Sequence, residues 1–149
     1  MMTDALLQLS SAQAVTSTAV STNVIDLLQN RDLAGGDALS AIFTVDATAT
    51  AAGAATVTFQ IISSAAANLS SPTVLVQSAP IPKADLVAGR QPFYIAVAPN
   101  ASGSVPLGQR YLAVQYTVGT GPLTAGSFSC VLSCDPSTAK LYNAAFIAA

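Results

Sequence analysis

Residues 56–61 read Thr-Val-Thr-Phe-Gln-Ile, a strict alternation of polar and apolar side chains. Successive side chains of a β-strand point to opposite faces, so this pattern predicts a half-buried strand with Val57, Phe59 and Ile61 turned toward the core. Three further runs alternate in the same way, at residues 39–46, 110–118 and 127–134. Strand alternation is therefore the dominant signal in the sequence.

Shorter candidate strands complete the pattern, at residues 5–9, 23–28, 73–77, 92–97 and within 140–147. Glycine, proline and asparagine separate the runs, as turns and loops require. Evidence for helix is thin, with room for one turn each in residues 63–71 and 83–88. The sequence predicts an all-β fold, a single antiparallel β-sandwich or jelly roll of about eight strands. We assign residues 1–138 to this domain and residues 139–149 to a separate apolar segment.

The composition excludes several classes of protein. The 149 residues suffice for one domain, and 52% are hydrophobic but only 8% charged, with no histidine, tryptophan or glutamate. Without histidine there is no Ser-His-Asp or Cys-His nucleophile, no histidine-bearing zinc site and no imidazole base. The net charge of −2 argues against a nucleic-acid or polybasic membrane contact. We expect no enzyme activity, no cofactor, no nucleic-acid partner and no membrane partner.

The low charge also bears on the surface of the protein. No span of ~20 predominantly apolar residues is present, and no positive region precedes an apolar run at the N-terminus. We therefore expect a soluble protein without a secretory signal. Because so little charge weakens colloidal stability, the surface is expected either to be rich in small hydroxyl side chains or to be covered in an assembly.

Thiols and carboxylates are the remaining candidates for chemistry. Cys130 and Cys134 are the only cysteines, and on one regular strand they lie ~13 Å apart, too far for a disulfide. We expect both to be buried core residues. The seven aspartates do not cluster; Asp32 and Asp37 flank a Gly-Gly turn and could join a weak calcium site. Turn aspartates usually bond their own backbone, so we predict no metal site.

The C-terminal segment is unusually apolar. It carries Leu141, Tyr142, Phe146 and Ile147, and Lys140 is its only charged side chain. Leaving the four large side chains in water would forgo several kcal/mol, at roughly 1.5–3 kcal/mol each. One interpretation is a final strand or short helix packed on its own sandwich. The other is an arm that reaches a neighbouring subunit or the surface of a larger assembly, which makes these four residues candidate interface residues.

Several stretches of the chain are similar, in their order and spacing, to one known family. They are residues 8–16, 18–27, 53–60, 70–76, 81–82 with 86–89, 110–119 (Arg-Tyr-Leu-Ala-Val-Gln-Tyr-Thr-Val-Gly) and 123–128. The chain resembles the small capsid cement, or decoration, proteins of tailed bacteriophages, in particular the jelly-roll cement protein family of Bordetella podophages. The resemblance covers nearly the whole domain, from residue 6 to residue 134.

The resemblance implies a structural protein of the virion. Such a protein is expected to form a homo-oligomer (a dimer or trimer on a symmetry axis), to lie on the outer capsid surface and to bridge subunits of the major capsid protein. Assembly would take place in the cytoplasm of the host bacterium, which suits unpaired thiols. The alternative is a non-catalytic carbohydrate-binding sandwich of a phage tail or secreted protein. That function usually needs exposed aromatic side chains, for which Tyr94, Tyr111 and Tyr142 are the candidates.

Overall fold

The computed structural model describes residues 5–29, 39–97 and 109–133. Within them the chain forms ten β-strands and two 3₁₀ turns. The strands are β1 (Gln8–Ala14), β2 (Ala19–Val20), β3 (Ile25–Asp26), β4 (Leu39–Thr50), β5 (Thr56–Ser64), β6 (Thr73–Gln77), β7 (Ile81–Pro82), β8 (Phe93–Val97), β9 (Tyr111–Gly119) and β10 (Ala125–Ser133). The 3₁₀ turns cover Ala5–Leu7 and Lys83–Asp85.

The strands form two antiparallel sheets. Sheet A has the order β1-β10-β4-β8 and sheet B the order β2-β9-β5-β6. The short strand β3 lies beside β9 next to β2, and β7 lies beside β5 next to β6, so each sheet has four strand positions. The chain passes between the sheets in the order of a jelly roll. The predicted antiparallel sandwich of about eight strands is thereby confirmed.

The alternating runs place their apolar side chains in the core, as predicted. Val57, Phe59 and Ile61 of β5 are fully buried. The corresponding side chains of β9 and β10 are buried as well, except for Val118 near the end of β9, which is partly buried, and Cys134, which lies outside the described residues. Strand β4 departs from the pattern because Ile42, on its outer face, is buried as well. Its cross-strand partners Tyr94 and Val131 flank it on both sides in the middle of sheet A.

An aromatic cluster joins the two sheets. The ring of Phe59, from sheet B, lies 5.0 Å from Phe43, 4.9 Å from Phe93 and 5.2 Å from Phe128 of sheet A, measured between ring centroids. Tyr116 stacks on Phe128 at 5.6 Å. Tilted and edge-to-face pairs at these distances add to the stability that apolar burial already gives. The core therefore owes its bulk to five rings, with small and branched side chains around them.

The structure differs from the sequence prediction at two local points. Residues 5–7 form a 3₁₀ turn, so the first strand begins at Gln8 rather than at residue 5. Residues 63–71 hold no helix; β5 continues to Ser64, and the loop then folds back so that Leu69 packs on Ile62 and Ala113 on the outer face of sheet B. The Ser64 hydroxyl donates to the Ser70 carbonyl at 3.0 Å and fixes this loop. The 3₁₀ turn at Lys83–Asp85 lies where a helical turn is predicted.

Candidate interaction surfaces

The site residues predicted from the sequence lie outside the described residues. This applies to Leu141, Tyr142, Phe146 and Ile147, to the whole segment 139–149, and to Asp32 and Asp37. Cys134 also lies outside them. Within the described residues, two sides of the sandwich nevertheless have features of an interaction surface.

The first of these sides is apolar. Five exposed large hydrophobic side chains lie along the edge formed by β1 in sheet A and by β2 and β3 in sheet B, and we call them the β1–β3 surface: Leu6, Leu7, Val20, Val24 and Leu28. Leu6 is 81% and Leu28 73% exposed. Exposed aliphatic side chains scattered singly are ordinary on protein surfaces, but five of them on neighbouring elements at one side of a sandwich are typical of an interaction site.

Side-chain hydrogen bonds hold the backbone of this surface in place. The Gln13 amide donates to the Val20 carbonyl at 2.7 Å and accepts from the Thr22 N–H at 3.0 Å. The Asn23 side chain donates to the Gln8 carbonyl at 2.9 Å, and its backbone N–H donates to the Leu9 carbonyl at 2.9 Å. The connection between the two sheets is thus ordered before any partner binds, which lowers the entropy cost of binding.

One ion pair lies at the end of this surface. Arg110 binds both carboxylate oxygens of Asp26 at 2.8 Å, and its guanidinium lies 5.0 Å from the centroid of the Tyr111 ring. The hydrogen bond from Arg110 is the main reason that the pKa of Asp26 falls from 3.8 to about 2, and a hydrogen bond from the Leu28 N–H adds to it. The same pair raises the pKa of Arg110. The two charges neutralise each other, so the β1–β3 surface offers a partner little net charge.

The opposite side of the sandwich carries a cavity. It has a volume of about 220 Å³ and is lined by Val45, Ile81, Asp85, Leu86, Arg90, Gln91 and Phe93. Arg90 and Asp85 form a half-exposed ion pair of 3.2 Å, and Arg90 also donates to the Asp85 carbonyl at 2.5 Å. The remaining lining is mostly apolar. Strand β8 contributes Phe93 to the cavity and points Tyr94, which is 60% exposed, to solvent.

The buried polar groups contribute to the packing of the core, and none has the features of a reactive group. Ser10 of sheet A and Tyr116 of sheet B share a hydrogen bond of 2.5 Å across the core. Burial raises the pKa of the Tyr116 hydroxyl and of the Cys130 thiol, so both stay protonated at neutral pH. The predicted burial of Cys130 is confirmed. Among residues 5–29, 39–97 and 109–133, no group of three acidic, cysteine or histidine side chains could hold a metal ion.

Sequence reasoning missed the β1–β3 surface. Its members come from the first 3₁₀ turn, from β2 and from the loops around β3, so no periodic pattern connects them. Two pairs of apolar residues outside the alternating runs could have indicated this surface. They are Leu27-Leu28 beside Asp26 and Leu6-Leu7 before β1. Of the predicted exposed aromatics, Tyr94 is exposed, whereas Tyr111 packs against the cluster of Ile62, Leu69 and Ala113.

The comparison with protein-family models agrees with the resemblance to phage proteins. None of the helices in the described residues has the length and apolar character of a membrane span. No curated protein matches the chain. The family model Bbp16 matches residues 9–132, from the second residue of β1 almost to the end of β10. Because this match spans well over half of the sequence and confirms the resemblance, the chain belongs to Bbp16, a Bordetella phage protein family.

Proposed function

We propose that the protein is a capsid cement protein, which decorates the outer surface of the phage shell and joins neighbouring subunits of the major capsid protein. Membership of a phage protein family over residues 9–132 is the observation that carries this proposal. The ordered, apolar β1–β3 surface supports it because it offers a protein partner a contact site. In this proposal the protein is not an enzyme, holds no cofactor and contacts neither nucleic acid nor membrane.

The attachment is proposed to depend on apolar burial. Fully burying one large aliphatic side chain contributes roughly 1.5–3 kcal/mol, and the β1–β3 surface offers five of them, each already partly buried. A single such contact is modest. A homo-oligomer, a dimer or trimer on a symmetry axis, multiplies it because all copies engage the shell together.

The carbohydrate-binding alternative receives less support from the structure. Sugar platforms stack rings on exposed aromatic side chains, and Tyr94 is the one strongly exposed aromatic residue among the described residues. It lies on the outer face of the edge strand β8, away from the cavity. A tail-bound sugar-binding module would also be present in few copies per particle, whereas a cement protein is present in many.

Purified particles provide the test. We expect many copies on the shell, and we expect particles that lack the protein to break at lower temperature or under milder osmotic shock. Val24→Asp should greatly reduce the number of copies per particle, since it places a charge on the β1–β3 surface. Val87→Asp is the matched control, because Val87 is comparably exposed (44% against 38%) but lies away from that surface. A few copies on the tail, or equal resistance without the protein, would contradict the proposal.

A further inference from the structure

Five residues other than glycine have a positive φ among the described residues: Ala12, Leu28, Leu69, Ser71 and Thr120. A side chain in this left-handed region costs free energy, because its Cβ lies too close to the following carbonyl oxygen. Glycine avoids this cost, and asparagine and aspartate reduce it. A bulky residue at such a position therefore calls for a compensating interaction of its side chain.

The two leucines of this set differ in whether they have that interaction. Leu69, with a φ of 55°, is 7% exposed and packs on Ile62 and Ala113 at the outer face of sheet B. Leu28, with a φ of 66°, is 73% exposed. Burial of its side chain offsets the cost of the conformation at Leu69, whereas the described residues give Leu28 no comparable packing. The other three side chains are small and have little apolar surface to bury.

Hydrogen bonds hold Leu28 in this conformation. Its N–H donates to Asp26 Oδ1 at 2.8 Å, which closes a turn between an aspartate and the residue two positions later. Arg110 binds both carboxylate oxygens of Asp26 at 2.8 Å. The Leu27 N–H donates to the Arg110 carbonyl, also at 2.8 Å. Leu28 is thus tied to the residue that precedes β9, an interior strand of sheet B.

The ion pair contributes more to the position of Leu28 than to stability. The side chains of Arg110 and Asp26 are 44% and 37% exposed, and exposed ion pairs add little to the free energy of unfolding. The pair does fix the Asp26 carboxylate, and with it the backbone of Leu28. An apolar side chain on a backbone that is already fixed loses less entropy when a partner covers it.

We propose that Leu28 inserts into an apolar pocket of the major capsid protein, and that Asp26 and Arg110 are positioning residues for it. The inference rests on the proposed function and specifies how the β1–β3 surface recognises its partner. The pocket is expected to be uncharged, because the charges beside Leu28 already neutralise each other and leave none for a charged partner group.

Variants of Leu28 test the contact by titration of the full-length protein onto particles that lack it. Leu28→Gly removes the side chain and the backbone strain together. We therefore expect its Tm to be unchanged or higher, while its affinity for the shell falls at least roughly tenfold. Leu28→Met, which keeps an apolar side chain, should retain most of the affinity. Thr120→Gly is the matched control, because Thr120 is exposed, has a φ of 59° and lies at the other end of β9 from Asp26.

Two results would overturn the inference alone. One is a Tm several degrees lower for Leu28→Gly, because it would show that the side chain packs within its own chain. The other is native affinity of Leu28→Gly for the shell while Val24→Asp fails to bind, which would leave the proposed function intact. If the native protein itself does not bind the shell, the proposed function is wrong and the inference falls with it.

A double-variant cycle tests the positioning role. Asp26→Ala removes both the turn and the ion pair, and it should lower the affinity nearly as much as Leu28→Gly. Asp26→Asn keeps an oxygen that can accept from the Leu28 N–H, so it should restore much of the affinity. In the Leu28→Gly background, Asp26→Ala should cause no further loss of affinity, although its effect on the Tm should remain.

The control for this cycle is Asp85→Ala, which breaks the ion pair with Arg90 on the opposite side of the sandwich and should leave the affinity unchanged. Equal losses of affinity from Asp26→Ala with and without the Leu28 side chain would overturn the positioning role, because Asp26 would then act on the shell independently of Leu28.

Discussion

The hydroxyls of the core differ in whether they have a partner. Ser10 and Tyr116 are fully buried and bond each other across the two sheets. The Ser63 hydroxyl is also fully buried but has no hydrogen-bond partner among the described residues. A buried polar group without a partner has lost its hydrogen bonds to water and has no hydrogen bond within the protein to replace them. These residues should therefore respond to substitution in opposite ways.

We expect Ser10→Ala to destabilise the fold by roughly 1–3 kcal/mol, because it leaves the Tyr116 hydroxyl buried and unpaired. Ser63→Ala should be neutral or stabilising, since it removes an unpaired group. The double variant Ser10→Ala with Tyr116→Phe should recover much of the first loss. Urea unfolding of the four proteins measures these differences, and equal losses at Ser10 and Ser63 would contradict the assigned hydrogen bond.

The Asp26–Arg110 pair predicts a specific pH dependence. The folded pKa of Asp26, about 2, lies below its ordinary value of 3.8, so the pair stabilises the fold above that ordinary value and loses its effect as the pH falls toward 2. Asp26→Asn should lower the Tm by a few degrees at most at pH 7, and this difference from the native protein should disappear near pH 2. Asp85→Asn is the control, because its single contact of 3.2 Å with Arg90 is more exposed. A difference for Asp26→Asn that persists at pH 2 would exclude the ion pair as its cause.

Whole strands were predictable where one face is buried and the other open. Residues 110–118 predicted β9 to within one residue at each end, and residues 56–61 predicted the first six residues of β5. Both predictions succeeded because side chains that alternate with a period of two show which face of a strand meets the core. The two-residue strand β2 was not predicted, since two residues show no period. The β1–β3 surface was missed for a related reason. Whether Val24 or Leu28 is exposed depends on which strands lie beside them, and those strands are distant in the sequence.

Strand β10 bends at Gly126, and this bend predicts the effect of a single methyl group. Gly126 has a φ of 154°, the register with β4 shifts around it, and an added Cβ would lie 3.3 Å from the Ala49 Cα. Gly126→Ala should cost more than about 1 kcal/mol of folding free energy. Gly53→Ala should be nearly neutral, because its Cβ would meet only the Thr120 carbonyl, at 4.0 Å. Equal Tm values for the two variants would show that the bend tolerates a side chain.

The register of β10 also predicts the reactivity of its thiol. Cys130 and Leu132 face the core on the same side of the strand, and both are buried. In a Cys134→Ser variant, Cys130 should react slowly with a thiol reagent in the native protein and rapidly once the protein is unfolded. Non-reducing gels should show no disulfide. Fast labelling of the native protein would mean that the strand faces the other way.

At the scale of the whole molecule, the described surface has few charges, and two of its cations, Arg90 and Arg110, are paired with aspartates. If the β1–β3 surface holds the protein on the capsid, attachment depends on apolar burial and has few ion pairs for salt to screen. We expect virions to retain the protein in ~1 M NaCl, where the Debye length is ~3 Å. Protein bands of particles washed in low and high salt provide the measurement. Loss by salt alone would indicate an attachment dominated by charge.

The strand order has a consequence for how the chain reaches this fold during synthesis. Strand β10 lies between β1 and β4 in sheet A, and β9 lies between β5 and the pair β2 and β3 in sheet B. These two interior strands, β9 and β10, are thus translated after every strand that they join. Neither sheet can form completely before the ribosome has translated residue 111 and the residues that follow it. Until then, the earlier strands have edges without a hydrogen-bonding partner. Slow folding dominated by non-local pairing, and a need for protection from aggregation until the chain is nearly complete, follow from the topology itself.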